Sequence, residues 1–148
     1  MFNKILIANR GEIAIRVFRA CSELGISTVA IYAKEDEYSV HRFKADEAYM
    51  VGQGKKPIDA YLDSDDIVRI ALECGAEAVH PGYGLLSENI EFARKVEAAG
   101  LIFVGPTLHH LDIFGDKIKA KEASVAAGVG SIPGTEGPVD LEGDRKST

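Results

Sequence analysis

The chain alternates short apolar runs with longer segments in which apolar residues recur every three or four positions. Alternation of this kind predicts buried strands separated by amphipathic helices. The expected strands cover residues 4–8, 27–32, 47–51, 76–80 and 101–104. Strands that alternate with helices form a parallel sheet with helices on its faces, joined by right-handed crossovers. We therefore expect an α/β fold with a Rossmann-like parallel sheet and flanking helices.

The helical segments have recognisable faces and ends. The first, after residue 10, is expected to end at Gly25 and a longer one is expected over 64–74 with Asp63 as its N-cap. A short polar helix is expected over 38–44, and a helical stretch over 107–127 interrupted near Gly115. The apolar face of the first helix is predicted to contain Ile13, Val17, Ala20, Cys21 and Leu24.

The loop after the fourth predicted strand has the most informative sequence, HPGYGLLSEN at 80–89. Loops at the carboxyl ends of parallel strands are where open α/β sheets bind ligands. Gly82 and Gly84 permit close backbone approaches, and Tyr83 between them offers an apolar face with a polar tip. The alternative is a plain Gly/Pro turn covered by Tyr83, with Ser87 capping the next helix. The loop residues alone leave both readings open.

Two other loops lack the known nucleotide-binding patterns. The first strand–loop–helix has only Gly11 where a dinucleotide loop needs G-x-G-x-x-G, and Glu12 beside it would repel a phosphate. The loop at 52–57, GQGKKP, contains Gly-Lys without the spacing or the Ser/Thr of a P-loop, and we interpret it as a surface turn. A dinucleotide-dependent enzyme on this fold is therefore disfavoured.

A third candidate is the sequence Gly115-Asp116-Lys117 at the start of a predicted helix. Asp116 as an N-cap explains these residues without a ligand. Alternatively, Lys117 reaches an anionic ligand such as a polyphosphate, for which a flexible ammonium serves as a point charge. Spacing alone does not separate the two.

Composition narrows the possible functions. A net charge of −6 with scattered Lys and Arg argues against nucleic-acid binding. Neither a membrane-spanning run nor a signal or transit peptide is recognisable, so we expect a cytoplasmic protein without a membrane partner. Cys21 and Cys74 are expected to be unpaired. His80, His109 and His110 lack metal-ligand spacing, so no metal site is expected.

Five motifs together identify a family resemblance. ILIANRGEIAIR, HPGYGLLSEN, FVGP, FGDKIKAK and IPGTEGPV, in this order, resemble the N-terminal part of biotin carboxylases over residues 1 to about 140. Within that family, HHLDIFGDKIKAK with Phe114 before Gly-Asp-Lys most resembles the pyruvate carboxylase branch; acetyl-CoA and propionyl-CoA carboxylases are the alternative. The resemblance implies a pre-ATP-grasp domain over 1–120 and the truncated start of an ATP-grasp domain over 121–148.

The resemblance also implies an activity: ATP-dependent carboxylation of biotin by bicarbonate, with Mg²⁺ as cofactor and a biotinyl-carrier domain as partner. It assigns Lys117 to ATP, Tyr83 and Gly84 to the biotin pocket, and Arg19 with Glu23 to a homodimer surface on the first helix. Without a family dimer, Arg19 and Glu23 would form an ordinary surface salt bridge. No catalytic residue and no Mg²⁺ ligand is assigned within this chain.

The last residues of the chain differ in composition from the rest. Residues after Pro133 contain few large apolar groups, so we expect Gly134 to Thr148 to be mobile, with proteolysis beginning beyond Ala127. With the rest of the ATP-grasp domain missing, the chain alone is expected to have no carboxylase activity. A hypothesis from another class is a non-catalytic dimerisation or nucleotide-binding module.

Overall fold

A computed structural model describes residues 2–129 and confirms the parallel α/β sheet expected from the alternation. Five strands lie in the order β3-β2-β1-β4-β5, and every neighbouring pair is parallel. Four of the observed strands are one or two residues shorter than the apolar runs, and β2 has the predicted bounds. Their bounds are Lys4–Ile7 (β1), Ser27–Tyr32 (β2), Glu47–Met50 (β3), Ala78–His80 (β4) and Ile102–Phe103 (β5).

Six α-helices connect and follow these strands in the described part of the chain. They are Gly11–Glu23 (α1), Pro57–Tyr61 (α2), Ser64–Glu73 (α3), Ile90–Ala98 (α4), Leu108–Phe114 (α5) and Lys117–Ala126 (α6). The helix expected over 38–44 is instead a short 3-10 helix, Val40–Phe43, and another 3-10 helix, Lys34–Asp36, precedes it. Helix α2 was not predicted from the sequence. It begins at Pro57, a residue suited to the first turn of a helix because no hydrogen bond from its nitrogen is needed there.

The apolar face predicted for α1 was partly wrong. The side chains that pack on the sheet are Ala14, Phe18 and Cys21, together with Ile5 and Ile7 of β1. Val17 is half-buried and also packs against this core, whereas Ile13 is only half-buried, Ala20 is exposed, and Leu24 is 63% exposed. The helix therefore has two apolar stripes, and the sequence pattern could not show which of them faces the sheet.

Helices α3 and α4 pack against each other. Phe92 of α4 meets Phe103 of β5 edge to face, with ring centroids 6.1 Å apart. Asp63 caps α3 as expected, by accepting a hydrogen bond from the backbone N–H of Asp66. The cap of α4 is Asn89 and not Ser87 as expected, since the Asn89 Oδ1 accepts the Phe92 N–H at 2.9 Å.

The chain divides into two compact units after Leu108. The second unit contains most of α5 and all of α6, and Asp116 caps α6 by accepting hydrogen bonds from the backbone N–H groups of Ile118 and Lys119. The expected ATP-grasp start at 121 stays a prediction. The expectations for Gly134 to Thr148 lie outside the described residues. Both cysteines are unpaired, as predicted.

Candidate functional site

The candidate site lies where the strand order reverses. The chain leaves β1 towards β2 on one side, whereas β4 lies on the other side of β1, so the loops that follow β1 and β4 diverge. Open α/β sheets bind ligands at such a switch point, outside the carboxyl ends of the strands. Ile7 of β1 pairs with His80 of β4, and the Ala8 N–H donates to the His80 carbonyl at 2.8 Å. The HPGYG loop therefore begins beside Asn9.

Asn9 joins these two loops through its side chain. It is 2% exposed, and its Nδ2 donates to the carbonyl oxygens of Pro81 at 2.7 Å and Tyr83 at 3.0 Å. Its Oδ1 accepts the backbone N–H of Arg10 at 2.9 Å. Both ends of the amide are thus used, which fixes its orientation. Asn9 was not predicted as a site residue, although its place directly after the first strand could have indicated a role.

The backbone of the HPGYG loop adopts an unusual conformation. Gly82, Gly84 and Leu85 have positive φ values of 69°, 68° and 47°. Leu85 is the one non-glycine residue with a positive φ in the described part of the chain. A side chain in the left-handed region costs about 1–2 kcal/mol, so the surrounding contacts must hold Leu85 there. Leu86, directly after it, is buried and anchors the loop.

Tyr83 and Gly84, the residues predicted to face a ligand, lie at the exposed tip of this loop. The Tyr83 side chain is 79% exposed. Within residues 2–129, the backbone N–H groups of Tyr83, Gly84 and Leu85 donate no hydrogen bond to another protein group. The tip therefore offers an aromatic face and three available donors, which suits a flat ligand that carries hydrogen-bond acceptors.

The side chain of His80 also holds the backbone of the HPGYG loop. It is half-buried, and its Nδ1 accepts the Gly82 N–H at 2.9 Å, which places the ring proton of the neutral form on Nε2. Burial lowers the pKa of His80. No group of three His, Cys, Asp or Glu residues in the described part of the chain could hold a metal ion. His80 is thus placed as a structural support of the loop.

A second polar network lies beside Asn9 and was missed by the sequence analysis. Arg10 forms a two-point ion pair with Asp36, which also accepts hydrogen bonds from Tyr61 at 2.7 Å and Ser39 at 2.9 Å. The Arg10 hydrogen bonds hold the pKa of Asp36 well below its usual range, and burial raises the pKa of Tyr61. These residues are 26 or more positions apart from Arg10 along the chain, so no local pattern could have brought them together.

An open groove of about 800 Å³ runs from the loop along α1. His80 and Tyr83 line it together with Ile13, Val17 and Leu24, which belong to the apolar face predicted for this helix. Glu12 and Arg16, which also line the groove, form an ion pair of 3.5 Å. The second apolar stripe of α1 is therefore available as a surface next to the candidate site.

The other predicted residues lie on separate elements. Arg19 and Glu23 are both exposed on α1, and no ion pair joins them among the described residues, in contrast to the surface salt bridge considered above. The order Arg then Glu is the less favourable one for an i,i+4 pair on a helix. Lys117 is exposed at the first position of α6, in the second compact unit.

The geometry of the first unit agrees with a family comparison. The profile of the family described as biotin carboxylase, N-terminal domain, matches residues 1–111. This chain belongs to that family. The match spans the whole sheet, the HPGYG loop and the network around Arg10, so these features form part of a biotin carboxylase N-terminal domain.

Relatives of this domain are similar over almost the entire chain. Pyruvate carboxylase of Bacillus subtilis is 62% identical over 137 residues, which cover 93% of this chain and 12% of that protein. Mitochondrial pyruvate carboxylase of Mus musculus is 53% identical over 136 residues, again 12% of its length. The chain thus spans a small part of the curated relatives it matches.

Solved structures show the same fold. The biotin carboxylase domain dimer of Hydrogenobacter thermophilus 2-oxoglutarate carboxylase, in complex with MgADP, ADP and bicarbonate, is 51% identical with a TM-score of 0.93. The alignment covers 99% of this chain and 32% of that one. The complete pyruvate carboxylase of Rhizobium etli is 50% identical with a TM-score of 0.86, over 88% of this chain and 13% of that one.

Proposed function

We propose that this chain forms the N-terminal part of the biotin carboxylase component of a pyruvate carboxylase. The observation that carries the proposal is the 62% identity to the Bacillus subtilis enzyme over 137 residues of this chain. In the parent reaction, ATP and bicarbonate carboxylate biotin, yielding ADP and phosphate, and the carboxyl group passes to pyruvate to form oxaloacetate. A biotinyl-carrier domain would present the biotin.

In this proposal the HPGYG loop takes part in binding biotin. The exposed ring of Tyr83 and the available N–H groups at Tyr83 and Gly84 fit a bicyclic urea with a planar ureido group, which has an apolar edge and a strong acceptor oxygen. In this proposal the contribution of the chain to catalysis is binding and orientation, since no catalytic residue is assigned within it.

Lys117 is proposed to contact ATP. It is exposed at the start of α6, and an ammonium there can neutralise charge on a phosphate as a point charge. One lysine does not balance the charge that develops in phosphoryl transfer, and the described residues contain no acidic cluster able to hold Mg²⁺. Mg²⁺ and the remaining cationic groups would therefore come from other parts of the parent protein.

The acceptor of the carboxyl group has a second candidate. The Hydrogenobacter thermophilus structure belongs to a 2-oxoglutarate carboxylase and matches this chain about as well as the Rhizobium etli pyruvate carboxylase does. Acetyl-CoA and propionyl-CoA remain the alternatives suggested by the sequence. Because carboxylation of biotin is separate from transfer to the acceptor, residues of a biotin carboxylase domain do not themselves choose the acceptor.

The proposal also includes an oligomeric state and a cellular location. We propose a homodimer through α1 with Arg19 and Glu23, both exposed on this helix, on the contact surface. A non-catalytic dimerisation or nucleotide-binding module is the alternative if no activity is found. The proposed location is the cytoplasm, as for an enzyme of the bacterial type. Each helix within residues 2–129 is too short or too polar to span a lipid bilayer.

The test uses a carboxylase of which this chain is the N-terminal part. With free biotin, ATP and bicarbonate, phosphate release should depend on both biotin and bicarbonate. Lys117→Gln should raise the KM for ATP at least about tenfold, the effect of losing one charged hydrogen bond. Lys119→Gln is the matched control, because Lys119 lies on the same helix but pairs with Asp112 at 2.9 Å. Product formation from pyruvate, 2-oxoglutarate and the acyl-CoA thioesters then identifies the acceptor.

A further inference from the structure

The tip of the HPGYG loop is held by a residue outside the loop. The Nδ2 of Asn9 donates to two carbonyl oxygens, those of Pro81 and Tyr83, which flank Gly82. Asn9 follows β1, whereas the loop follows β4, so the amide links two loops more than 70 residues apart in sequence. A buried amide whose donors and acceptor are all used is a rigid element, because releasing it would leave polar groups unpaired away from water.

Gly82 shows how closely the loop is fitted to this side chain. A Cβ added at Gly82 would lie 2.6 Å from the Asn9 Nδ2 and 2.9 Å from its Cβ and Cγ. The position is also in the left-handed region at a φ of 69°. From the other side, Gly82 donates its N–H to His80. The turn therefore lies between two side chains, each of which uses hydrogen bonds to hold it.

The conformation held in this way is one that the loop would not adopt by itself. Leu85 has a φ of 47°, and the N–H groups of Tyr83, Gly84 and Leu85 have no acceptor within residues 2–129. A strained residue and unused N–H donors thus occur together at one exposed tip. This combination indicates a backbone preorganised for a ligand, in which contacts around the loop offset the strain.

We propose that Asn9 is a positioning residue for this site: its amide holds Tyr83 and Gly84 in the backbone conformation that receives the ligand. With respect to biotin, this inference rests on the proposed function. Asn9 does not touch the ligand and acts through the carbonyls of Pro81 and Tyr83.

The first arm of the test measures the loop in the 148-residue chain. In Asn9→Asp the side chain keeps its shape, but a carboxylate oxygen replaces the amide Nδ2. This oxygen cannot donate to the carbonyl oxygens of Pro81 and Tyr83 and repels them. Hydrogen exchange at the Ser87 and Asn89 amides, which are bonded to the carbonyls of Gly84 and Leu86, should become about tenfold faster. Exchange at Leu6 in β1 should stay unchanged. Unchanged exchange in the loop would overturn the inference.

The matched control is Asn89→Asp, the same chemical change at the far end of the loop. Asp serves as well as Asn in accepting the Phe92 N–H, so this variant should exchange like the wild type. If Asn9→Asp does not fold, Gly82→Ala tests the same fit without a new charge, since its Cβ would displace the loop from Asn9. Wild-type exchange in a folded Gly82→Ala chain would overturn the inference.

The second arm measures kinetics in the carboxylase that contains this chain. Asn9→Asp should raise the KM for free biotin about tenfold and change the KM for ATP less than about twofold. Equal changes in both would show a general structural role and overturn the inference. A faster-exchanging loop with an unchanged KM for biotin would support the role of Asn9 in holding the loop and overturn the assignment of Tyr83 and Gly84 to biotin.

Discussion

Two nitrogens of the Arg10 guanidinium, Nε and Nη2, each donate a 2.8 Å hydrogen bond to a different carboxylate oxygen of Asp36. The Asp36 side chain is nearly buried, whereas that of Arg10 remains half exposed. Such a pair fixes the orientation of both loops that carry it, those after β1 and β2. Asn9 precedes Arg10, so the pair also supports the residue that holds the HPGYG loop.

Removing the Asp36 charge should destabilise the fold. Asp36→Asn weakens the hydrogen bonds from Arg10 and mismatches the donor from Tyr61, and we expect a loss of about 2 kcal/mol in the free energy of unfolding. Urea denaturation at pH 7 measures this change. Glu35→Gln, which neutralises the neighbouring exposed carboxylate, is the control and should change it by less than about 0.5 kcal/mol.

The same pair predicts acid sensitivity. The hydrogen bonds from Arg10 lower the folded-state pKa of Asp36, so its stabilising effect is present above the unfolded pKa of about 3.9 and is lost as the pH falls through the folded value. The stability difference between wild type and Asp36→Asn should therefore shrink below about pH 4. A difference that stayed constant down to pH 2 would contradict this origin.

We predict a second pH dependence of stability, at milder acidity, that arises from His41. It is buried, its Nε2 contacts the carbonyl of Ile31 at 3.1 Å, and its Nδ1 has no hydrogen-bond partner in the described structure. Burial lowers the pKa of His41, although nearby Asp36 opposes this and Arg10 adds to it. The unfolded chain thus binds the proton first, and stability should fall as the pH drops below about 6.5, by at most about 1.4 kcal/mol per pH unit.

The measurement is the free energy of unfolding between pH 7.5 and pH 5. His41→Gln should reduce the slope in this interval, and His109→Gln, at an exposed position of α5, should leave it unchanged. Because burial also lowers the pKa of His80, some slope should remain in the His41 variant. An unaltered slope in His41→Gln would show that His41 does not carry the effect.

The two stripes of α1 should differ in their response to truncation. Phe18 is 3% exposed in the core, so Phe18→Ala should cost about 3–5 kcal/mol of stability. Leu24 lines the open groove, and Leu24→Ala should cost less than about 1 kcal/mol in the isolated chain. Thermal or urea unfolding of both variants provides the comparison. Equal losses would mean that the groove is closed in solution.

If the proposed dimer forms, the molecular mass in solution should differ between the wild-type chain and an α1 variant. Light scattering of the purified chain should report a dimer that Arg19→Glu converts to a monomer, because the reversed charge would repel Glu23 across a two-fold axis. Arg94→Glu on α4 is the control, since Arg94 lies on another helix and pairs with Glu91. A monomer in the wild type would contradict dimerisation through this chain alone.

The 148-residue chain by itself should not hydrolyse ATP in response to bicarbonate. Phosphoryl transfer requires several fixed cations around the phosphates, whereas Lys117 is the one phosphate contact that we propose here. The described residues contain no group of three His, Cys, Asp or Glu able to hold a metal ion. Phosphate release with ATP, bicarbonate and free biotin measures this directly, with the parent carboxylase as the positive control. Any release that depends on bicarbonate would contradict the expectation.

The sequence by itself determined the fold class, the parallel strands and the family. Apolar runs and helical spacing are local, and a parallel sheet follows from their alternation because each crossover needs a helix. The caps Asp63 and Asp116 were found for the same reason, since a cap and the N–H groups it binds are neighbours in sequence. The loop with Tyr83 and Gly84 was visible as a Gly-rich segment directly after a strand.

Only the tertiary structure decided which side chains hold that loop and which face of α1 is buried. Asn9 contacts Pro81 and Arg10 pairs with Asp36 because the strand order brings distant loops to one edge of the sheet. The identity of a polar residue after a strand does not indicate which distant residue it will contact. The helical period of α1 allowed two apolar stripes, and the packing of Phe18 on the sheet selected one. Long-range pairing is decided by the whole fold, which no window of local sequence contains.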